Sequence, residues 1–420
     1  MLRDNLPPFS KNEAIEIIED QFGRKIDDIY MNFSEPIAAA SIAQVHFAEI
    51  NDNGRATPVA VKILRPKIIE TIDEEMNRLD WLTGFLENFS ELKRLQLNSV
   101  IKKAKEIIRF ELDLRYEAAA ASELKENTKN DHSFYVPKIY WENVTKKVLT
   151  IERISGTPAD KIELLRTNNI NLRKIADQLI INFLRQAIRD GYFHADLHQG
   201  NLFIDENSNL IAVDFGIMGR LDKKNRRFLA EIIFGFINQD YLKIAKIHKE
   251  AGLIDSDQSV DDFSQALRSI GEPIINQKAK DISMGRVLVQ LFDITKQFNM
   301  SLQPQLLLLQ KTMIIVEGVA RKFNPEINFW EISKPEIELW LKDELGPLTK
   351  LKETSEVLQS LARKVPDIPD FLDRAENAFD IIMENRKTIN THQYKKKSFK
   401  TLIGFTSGIA VIFIATMLLI

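Results

Sequence analysis

Cysteine is absent from the 420 residues. That removes disulfides, thiolate zinc sites, cysteine nucleophiles and cysteine-ligated iron–sulfur clusters. Gly-x-Gly-x-x-Gly, Gly-Lys-Ser/Thr and His-Glu-x-x-His are absent too, and with them the dinucleotide, P-loop and zincin fingerprints. There is no excess of either charge: 57 Lys and Arg stand against 60 Asp and Glu, a net of −3, which argues against nucleic acid as a main partner. The six histidines are scattered, and His194 and His198 fit a loop of catalytic residues better than a metal cage. No internal repeat or low-complexity tract occurs. The first ten residues do not read as a signal peptide, and Glu13, Glu16 and Glu19 disfavour a transit peptide; residues 11–23 read as an amphipathic helix.

What is present centres on HADLHQGNLFIDENSNLIAVDFG at 194–216. A helical run through Ile175, Leu179, Phe183 and Ala187 leads past Gly191 into His194. Leu202–Ile204 reads as a strand, 207–209 as a turn, and Leu210–Val213 as a second strand ending on Asp214. Asp196, then Asn201, then an Asp-Phe-Gly after a strand is the catalytic order of a protein-kinase-like fold. Phosphoryl transfer needs few groups: one to orient a nucleophile, and oxygens to hold magnesium against phosphates. Asp196 takes the first role, Asn201 and Asp214 the second.

The upstream half supplies the remaining parts. Val59–Lys62 reads as a strand ending in a lysine for phosphate oxygens. Residues 99–127 read as one helix, with Val100, Ala104 and Ile107 as an apolar stripe that Glu111 continues. A core-facing carboxylate is costly without a partner, and Lys62 is the candidate. Asp113 and Glu117 stand at i and i+4, where like charges repel; they would be tolerated best beside a cation, a metal or water, the other reading being a solvated helix face. Two strands before Lys62, where a phosphate loop belongs, residues 36–45 contain no glycine. An alanine run does not take positive φ cheaply, so this loop should be stiff.

In this order, AAASIAQVH, VAVK, ELDxxxEA, HADLHxGN and DFG resemble the UbiB family of atypical kinases, also called ABC1 or aarF-domain proteins. The resemblance spans roughly residues 5–330. It implies an α+β, two-lobed protein-kinase-like fold and Mg-ATP as ligand. It makes Asp196 catalytic, with Lys62 paired to Glu111, and makes Glu111 and Asp113 an ExD motif. It places nucleotide on Ala38, Ala39, Ala40, Ser41, Ile42, Val45, Ala60, Lys62, Ile151, Glu152 and Ile154, and magnesium (Mg2+) on Asn201 and Asp214. In that assignment Val148–Ile151 is the adenine strand, Ile151 the gatekeeper and Glu152–Ile154 the hinge; read from the residues alone, the strand is equally a plain edge strand. Two departures stand out. The family's KxGQ element ahead of the alanine loop is missing, by truncation or otherwise, which would leave Glu117 without its expected partner and the cleft more open. Gln199 replaces a proline after the second histidine, a loss the loop should tolerate because φ near −65° remains open to glutamine.

The segment after Asp214 has no Ser, Thr or Tyr before Phe228 and no Ala-Pro-Glu, with a helix resuming near Lys223. Loop phosphorylation and a docking platform for a protein substrate are therefore not expected. Leu306–Val319 reads as a core helix because Gln310, Lys311 and Glu317 interrupt it. Residues 401–420 carry no charge and would reach about 30 Å as a helix, enough to cross a bilayer. Lys395, Lys396, Lys397 and Lys400 precede them, keeping the rest of the chain cytoplasmic, and Gly404 and Gly408 permit pairing into a homodimer. Family members usually carry two terminal spans, and this chain shows one. The expected organisation is a helical segment (1–35), an N-lobe (36–155), a C-lobe (156–330), a helical extension and linker (331–398) and a transmembrane helix (399–420).

Three functions follow as hypotheses. The first is a kinase or ATPase of the bacterial inner membrane that supports ubiquinone biosynthesis, acting on membrane lipids and isoprenoid quinone precursors alongside other proteins of that pathway. The second is a non-catalytic nucleotide-binding scaffold of the same complex. The third, ring hydroxylation, lacks a flavin fingerprint and an iron site in the sequence.

Overall fold

Ser10 followed three residues later by Glu13 starts the first helix, α1 (Lys11–Phe22). The Ser10 hydroxyl accepts from the Glu13 N–H at 3.2 Å, and the Glu13 carboxylate accepts from the Ser10 N–H at 3.0 Å. This reciprocal box satisfies two of the helix's free donors. Gly23, at φ 65°, ends the helix in the left-handed conformation. The computed structural model describes residues 7–86, 105–275 without 106, 107, 109 and 256, positions 287, 290, 291, 294, 297 and 298, and residues 304–344.

Ala14 and Ile18 of α1 are buried with Tyr30, Val61, Ile63 and Val148, behind an antiparallel sheet. Its strands are β1 (Pro36–Ala39), β2 (Ala43–Asp52), β3 (Arg55–Leu64) and, later in the chain, Val148–Glu152. They lie in that order. Asn53 and Gly54, both at positive φ, close the β2–β3 hairpin, and Ala43 opposite Leu64 begins its register. Asn-Gly favours such a turn because both residues tolerate left-handed backbone. α2 (Ile68–Leu86) follows.

The single helix expected over 99–127 is not what forms. Glu111 is helical, the helix stops at Leu112, and a new one, α3 (Leu114–Asn127), starts with Asp113 as its N-cap. Asp113 accepts from the Arg115 N–H at 3.1 Å, and the Leu114 N–H donates to the Lys146 carbonyl at 3.0 Å. A short acidic side chain can cap new N–H groups, which makes Asp113 a natural place to restart. The stripe residues Val100, Ala104 and Ile107 lie outside the described residues.

After β4 (Phe134–Tyr135) comes the sheet strand β5 (Val148–Glu152), then β6 (Thr157–Pro158) and two helices, α4 (Ile162–Thr167) and α5 (Leu172–Leu184). α5 passes into a π-helical turn, Arg185–Asp190, that ends on Gly191 at φ 68°. Three further strands surround the motif region: β7 (Tyr192–His194), β8 (Leu202–Ile204) and β9 (Leu210–Ala212). β10 (Met218–Arg220) pairs with β7, and a second sheet runs β4-β9-β8-β6. The strands expected at 202–204 and 210–213 and the helix expected near Lys223 are all present, the last as α6 (Lys223–Ile237) capped by Asp222.

Gly219 of β10 faces Phe193 so closely that an added Cβ would lie 2.1 Å from the ring. Phe193 is fully buried and meets Phe183 edge-on at 6.0 Å. Gly219→Ala should therefore overpack the core beneath residues 194–201 and cost about 1–3 kcal/mol. A urea midpoint equal to that of the unaltered chain would contradict this packing account.

The helical part continues with α7 (Tyr241–Glu250), α8 (Val260–Ile275), α9 (Pro304–Phe323) and α10 (Phe329–Glu344). Leu309, Met313, Val316 and Ala320 bury one side of α9 in the main core with α5, so 306–319 is a core helix, as its interrupting polar residues imply. A second cluster holds Tyr241, Ile244, Phe263 and Leu267. His248 is buried beside it, with Nδ1 2.8 Å from the Ile244 carbonyl and its ring 5.2 Å from Phe263. Burial pulls its pKa from 6.5 down to about 4. The unfolded chain then binds a proton that the folded chain refuses, so this part of stability is complete above pH 6.5 and falls as pH drops towards 4. At pH 5 the loss should be about 2 kcal/mol. His248→Leu should flatten the slope of stability between pH 7 and 5; an unchanged slope would assign the acid sensitivity elsewhere.

Among the described residues no helix is long and apolar enough to cross a membrane. The span expected at 399–420, with Gly404 and Gly408, lies outside the described residues, as does most of the 331–398 extension.

Candidate functional site

The register of β2, β3 and β5 gathers residues far apart in sequence. Val45 lies opposite Lys62, Lys62 opposite Leu149, and Ala60 opposite Ile151. Cross-strand partners share a face, and so do Ala60 and Lys62 at i and i+2. Val45, Ala60, Lys62 and Ile151 thus form one patch. The opposite face, with Val61, Ile63 and Val148, is packed behind the sheet.

Lys62 carries the centre of the site. Its ammonium donates to both oxygens of Glu117, each at 2.9 Å, and to Asp214 Oδ1 at 3.2 Å. The pairing of Lys62 with Glu111 is not formed. The break at Asp113 resets the helical phase, and α3 presents Glu117 to the lysine. The partner of Glu117 is therefore Lys62. Asp113, buried at the cap, holds Arg115 instead, with Nε donating at 2.9 Å and the terminal nitrogen at 2.6 Å. Each acid thus faces its own cation, and neither lies on a solvated helix face. Glu111 is half-buried; burial raises its pKa, and the negative charge of Asp214 raises it further.

Burial by itself would lower the Lys62 pKa, but the carboxylates of Glu117 and Asp214 outweigh it and hold the ammonium charged. Lys62 in turn keeps Asp214 below the usual carboxylate range, and burial pushes Glu117 up. Asp214 sits at φ 62°, a conformation that Asp tolerates better than most residues. The Phe215 N–H donates to Glu117 Oε1 at 3.3 Å, which ties the Asp-Phe-Gly backbone to the same carboxylate that grips Lys62.

The 194–201 loop is organised by its own side chains. His194 is fully buried, and its Nδ1 accepts the Asp196 N–H at 3.1 Å while Nε2 lies 3.4 Å from the Val213 carbonyl. Its N–H donates to Gln186 Oε1, at 3.1 Å, from the π-helical turn. His194 thus links the backbone at Asp196 to the residue before Asp214, and burial lowers its pKa. Asn201 Nδ2 donates to the Asp196 carbonyl at 3.0 Å, leaving its Oδ1 with no partner among the described residues. The Val213 N–H donates to the Asn201 carbonyl at 2.9 Å, so the loop and the strand before Asp214 are joined. His198 Nε2 stands 3.4 Å from Asp196 Oδ2, and this contact holds the Asp196 carboxyl below its usual range. Gln199, in place of proline, is anchored from two sides: it donates to the Ala159 carbonyl at 3.3 Å and accepts from Lys322 at 2.6 Å.

The alanine segment forms the β1–β2 turn. Ala38, Ala40 and Ser41 are exposed, and Ile42 is half-buried against the core. Arg65 pins the turn, its Nε donating to the Ala40 carbonyl at 2.9 Å and its Nη1 to the Pro7 carbonyl at 3.0 Å. At the end of β5, Glu152 spends its carboxylate on Tyr135 at 2.6 Å and the Lys138 N–H at 2.9 Å. The N–H groups of Glu152 and Arg153 are taken by Lys138 and Pro58 carbonyls. The Ile154 N–H, next along the chain, has no acceptor among the described residues.

Asp214, Asn201 and Asp196 offer hard oxygens, which suit Mg2+; that ion needs only one or two protein carboxylates when phosphates and water complete its shell. Among the described residues no group of three or more His, Asp or Glu forms a closed metal cage. An open set of this kind fits a magnesium that arrives with phosphate. Sequence reasoning did not find the Glu117 partnership, the Arg65 pin, Gln186, or the contacts from α9. Asp113, a preferred N-cap residue, was the only local signal for the first of these.

Residues 1–248 match the family described as ABC1 atypical kinase-like domain, and residues 267–328 match the UbiB helical domain. The chain is 36% identical over 416 residues to "Probable protein kinase UbiB" of Histophilus somni (strain 129Pt), covering 96% of this chain and 76% of that one. It is also 36% identical over 378 residues to the protein of the same name from Aeromonas hydrophila, covering 89% and 69%. Among solved structures, the Rv3197–erythromycin complex from Mycobacterium tuberculosis superposes with a TM-score of 0.60 at 23% identity, over 78% of this chain and 83% of that chain, a likeness of fold.

Proposed function

Because the chain belongs to the ABC1 atypical kinase-like family, we propose that it is an atypical kinase or ATPase that binds Mg-ATP, is anchored in the bacterial inner membrane, and supports ubiquinone biosynthesis. The observation that carries this reading is the Lys62 ammonium held between Glu117 and Asp214. It is a cation kept charged at the junction of the sheet patch and the oxygen ligands, where phosphates would lie.

In this reading Val45, Ala60 and Ile151 line the adenine side, Ile154 supplies a backbone donor to the base, and the stiff turn at Ala38–Ile42 limits how phosphates are posed. Lys62 binds phosphate oxygens. Asp196 orients the attacking oxygen; with His198 lowering its pKa it is a weak base, which suits a reaction that needs positioning more than proton removal. Asn201 and Asp214 hold magnesium, which when bound neutralises charge on the phosphates.

The acceptor is proposed to be a small molecule or water. β10 begins two residues after Gly216 and pairs at once with β7, and α6 starts at Lys223. That leaves no extended segment on which a peptide would dock. Residues 399–420 are proposed as the membrane anchor that brings the site to lipid and quinone precursors, with the 36–155 and 156–330 lobes, the 331–398 linker and pairing through Gly404 and Gly408 as further parts of the proposal. The test is Mg-dependent ATP turnover by the full chain in vesicles containing anionic lipid, with Asp196→Ala as control. Turnover lost in the variant is expected. Nucleotide binding without turnover in either protein would point to the scaffold role, and efficient transfer to added proteins would overturn the small-molecule acceptor.

A further inference from the structure

α9 lies across the 194–201 loop and is fastened to it at two points. Thr312, fully buried, donates its hydroxyl to the Ala195 carbonyl at 3.1 Å. Three turns on, Lys322 donates to Gln199 at 2.6 Å. Lys311 therefore stands at a fixed place on a clamped helix, and its ammonium is 3.8 Å from Asp196 Oδ1. The other oxygen of the same carboxylate faces His198. Lys311 is more than half exposed, so a ligand can reach it, and among the described residues Asp196 is the only acid within ion-pair range.

The distance is informative. A committed ammonium–carboxylate hydrogen bond closes to about 2.7–2.9 Å. At 3.8 Å Lys311 is drawn to Asp196 without being consumed by it, and its donors remain available to a second anion. The acceptor oxygen has to lie beside Asp196 to be oriented, and the group being transferred lies in line with that oxygen. A cation on Asp196 Oδ1 consequently borders the transferring group, where charge is spread over the equatorial phosphoryl oxygens.

We propose that Lys311 is a catalytic residue, supplied to the site by the helical C-terminal part, whose ammonium contacts the γ-phosphoryl group of bound ATP. The proposal rests on the phosphoryl-transfer reading above. In the step, the acceptor oxygen forms a bond to the γ-phosphorus and the bond from that phosphorus to the bridging oxygen breaks. The electron pair of the broken bond stays with the departing diphosphate. The acceptor's proton passes to Asp196 and on to water. Lys311 takes no part in the bond changes and acts only by contact. A consequence is that residues 36–250 do not hold the whole catalytic set; α9 completes it.

The experiment compares the full chain with Lys311→Met and Lys311→Arg, by calorimetry with Mg-ADP and with the non-hydrolysable triphosphate adenylyl imidodiphosphate. Lys311→Met should leave ADP affinity unchanged, which also reports an intact fold, and weaken triphosphate affinity about ten- to hundredfold. Lys311→Arg should restore most of that loss. The same triphosphate-to-diphosphate ratio in Lys311→Met and the unaltered chain would overturn the proposal while leaving the phosphoryl-transfer reading standing. Failure of the unaltered chain to bind either nucleotide would remove that reading, and the proposal with it.

Discussion

Lys62→Ala is expected to lower Mg-dependent ATP turnover by about 100- to 1,000-fold and to destabilise the fold by about 3 kcal/mol or more. Both losses have one cause. Glu117 is buried and spends both carboxylate oxygens on Lys62. Without the ammonium an acid remains in a poorly solvated place, where burial already pushes its pKa up. It would take a proton, and the Phe215 N–H that now donates to it would lose a charged acceptor. The Asp-Phe-Gly backbone should loosen as a result. The double variant Lys62→Met with Glu117→Gln should recover part of the stability but none of the turnover, because the buried charge goes while the phosphate contact stays absent. Glu111→Gln provides the contrast. It should cost much less than Glu117→Gln, since Glu111 makes no hydrogen bond to Lys62 among the described residues. Urea midpoints and steady-state turnover separate the cases. Equal costs for the two glutamines would restore Glu111 as the partner.

The second large effect is at Asp214. Asp214→Asn should abolish the response of turnover to magnesium, a fall of about 100- to 1,000-fold at saturating metal. It should leave the fold in place. Asparagine accepts the positive φ that position 214 requires, and Lys62 keeps its two bonds to Glu117. ADP binding without magnesium should be near that of the unaltered chain. The informative readout is the magnesium titration of nucleotide affinity. A titration that superposes on that of the unaltered chain would remove Asp214 from the metal site.

Much of the architecture was legible because it is local. The Ser10–Glu13 box, the strands flanking 207–209, the restart of helix at Lys223 and the polar-interrupted core helix at 306–319 all follow from residues within a few positions of one another. The order of Asp196, Asn201 and Asp214 is of the same kind, since one loop and one hairpin bring them together. What could not be read is non-local. An apolar stripe extrapolated through Glu111 ends on the last helical residue before the break, while the Asp113 cap starts a new helix whose phase, and with it the direction of Glu117, the stripe does not set. The Leu114 N–H bonded to Lys146, 32 residues away, helps hold that break open, and no window of the sequence contains it. Gln199 shows the same limit. Its loop tolerates the absence of proline because Ala159 and Lys322 hold the amide, contacts that come from the far sides of the fold.

From its residues alone, then, this chain determined that it carries an α+β fold of the kinase type, a lysine strand, a glycine-free turn, and Asp196, Asn201 and Asp214 in the order that kinase-like folds use. Only the tertiary structure decided which carboxylate grips Lys62, which backbone N–H after β5 is left without an acceptor among the described residues, and that α9 closes on the 194–201 loop. The division has a physical reason. Helical and strand periodicity are set by backbone geometry within a turn or two, whereas the choice of partner for a buried charge depends on which distant element arrives to share its desolvation.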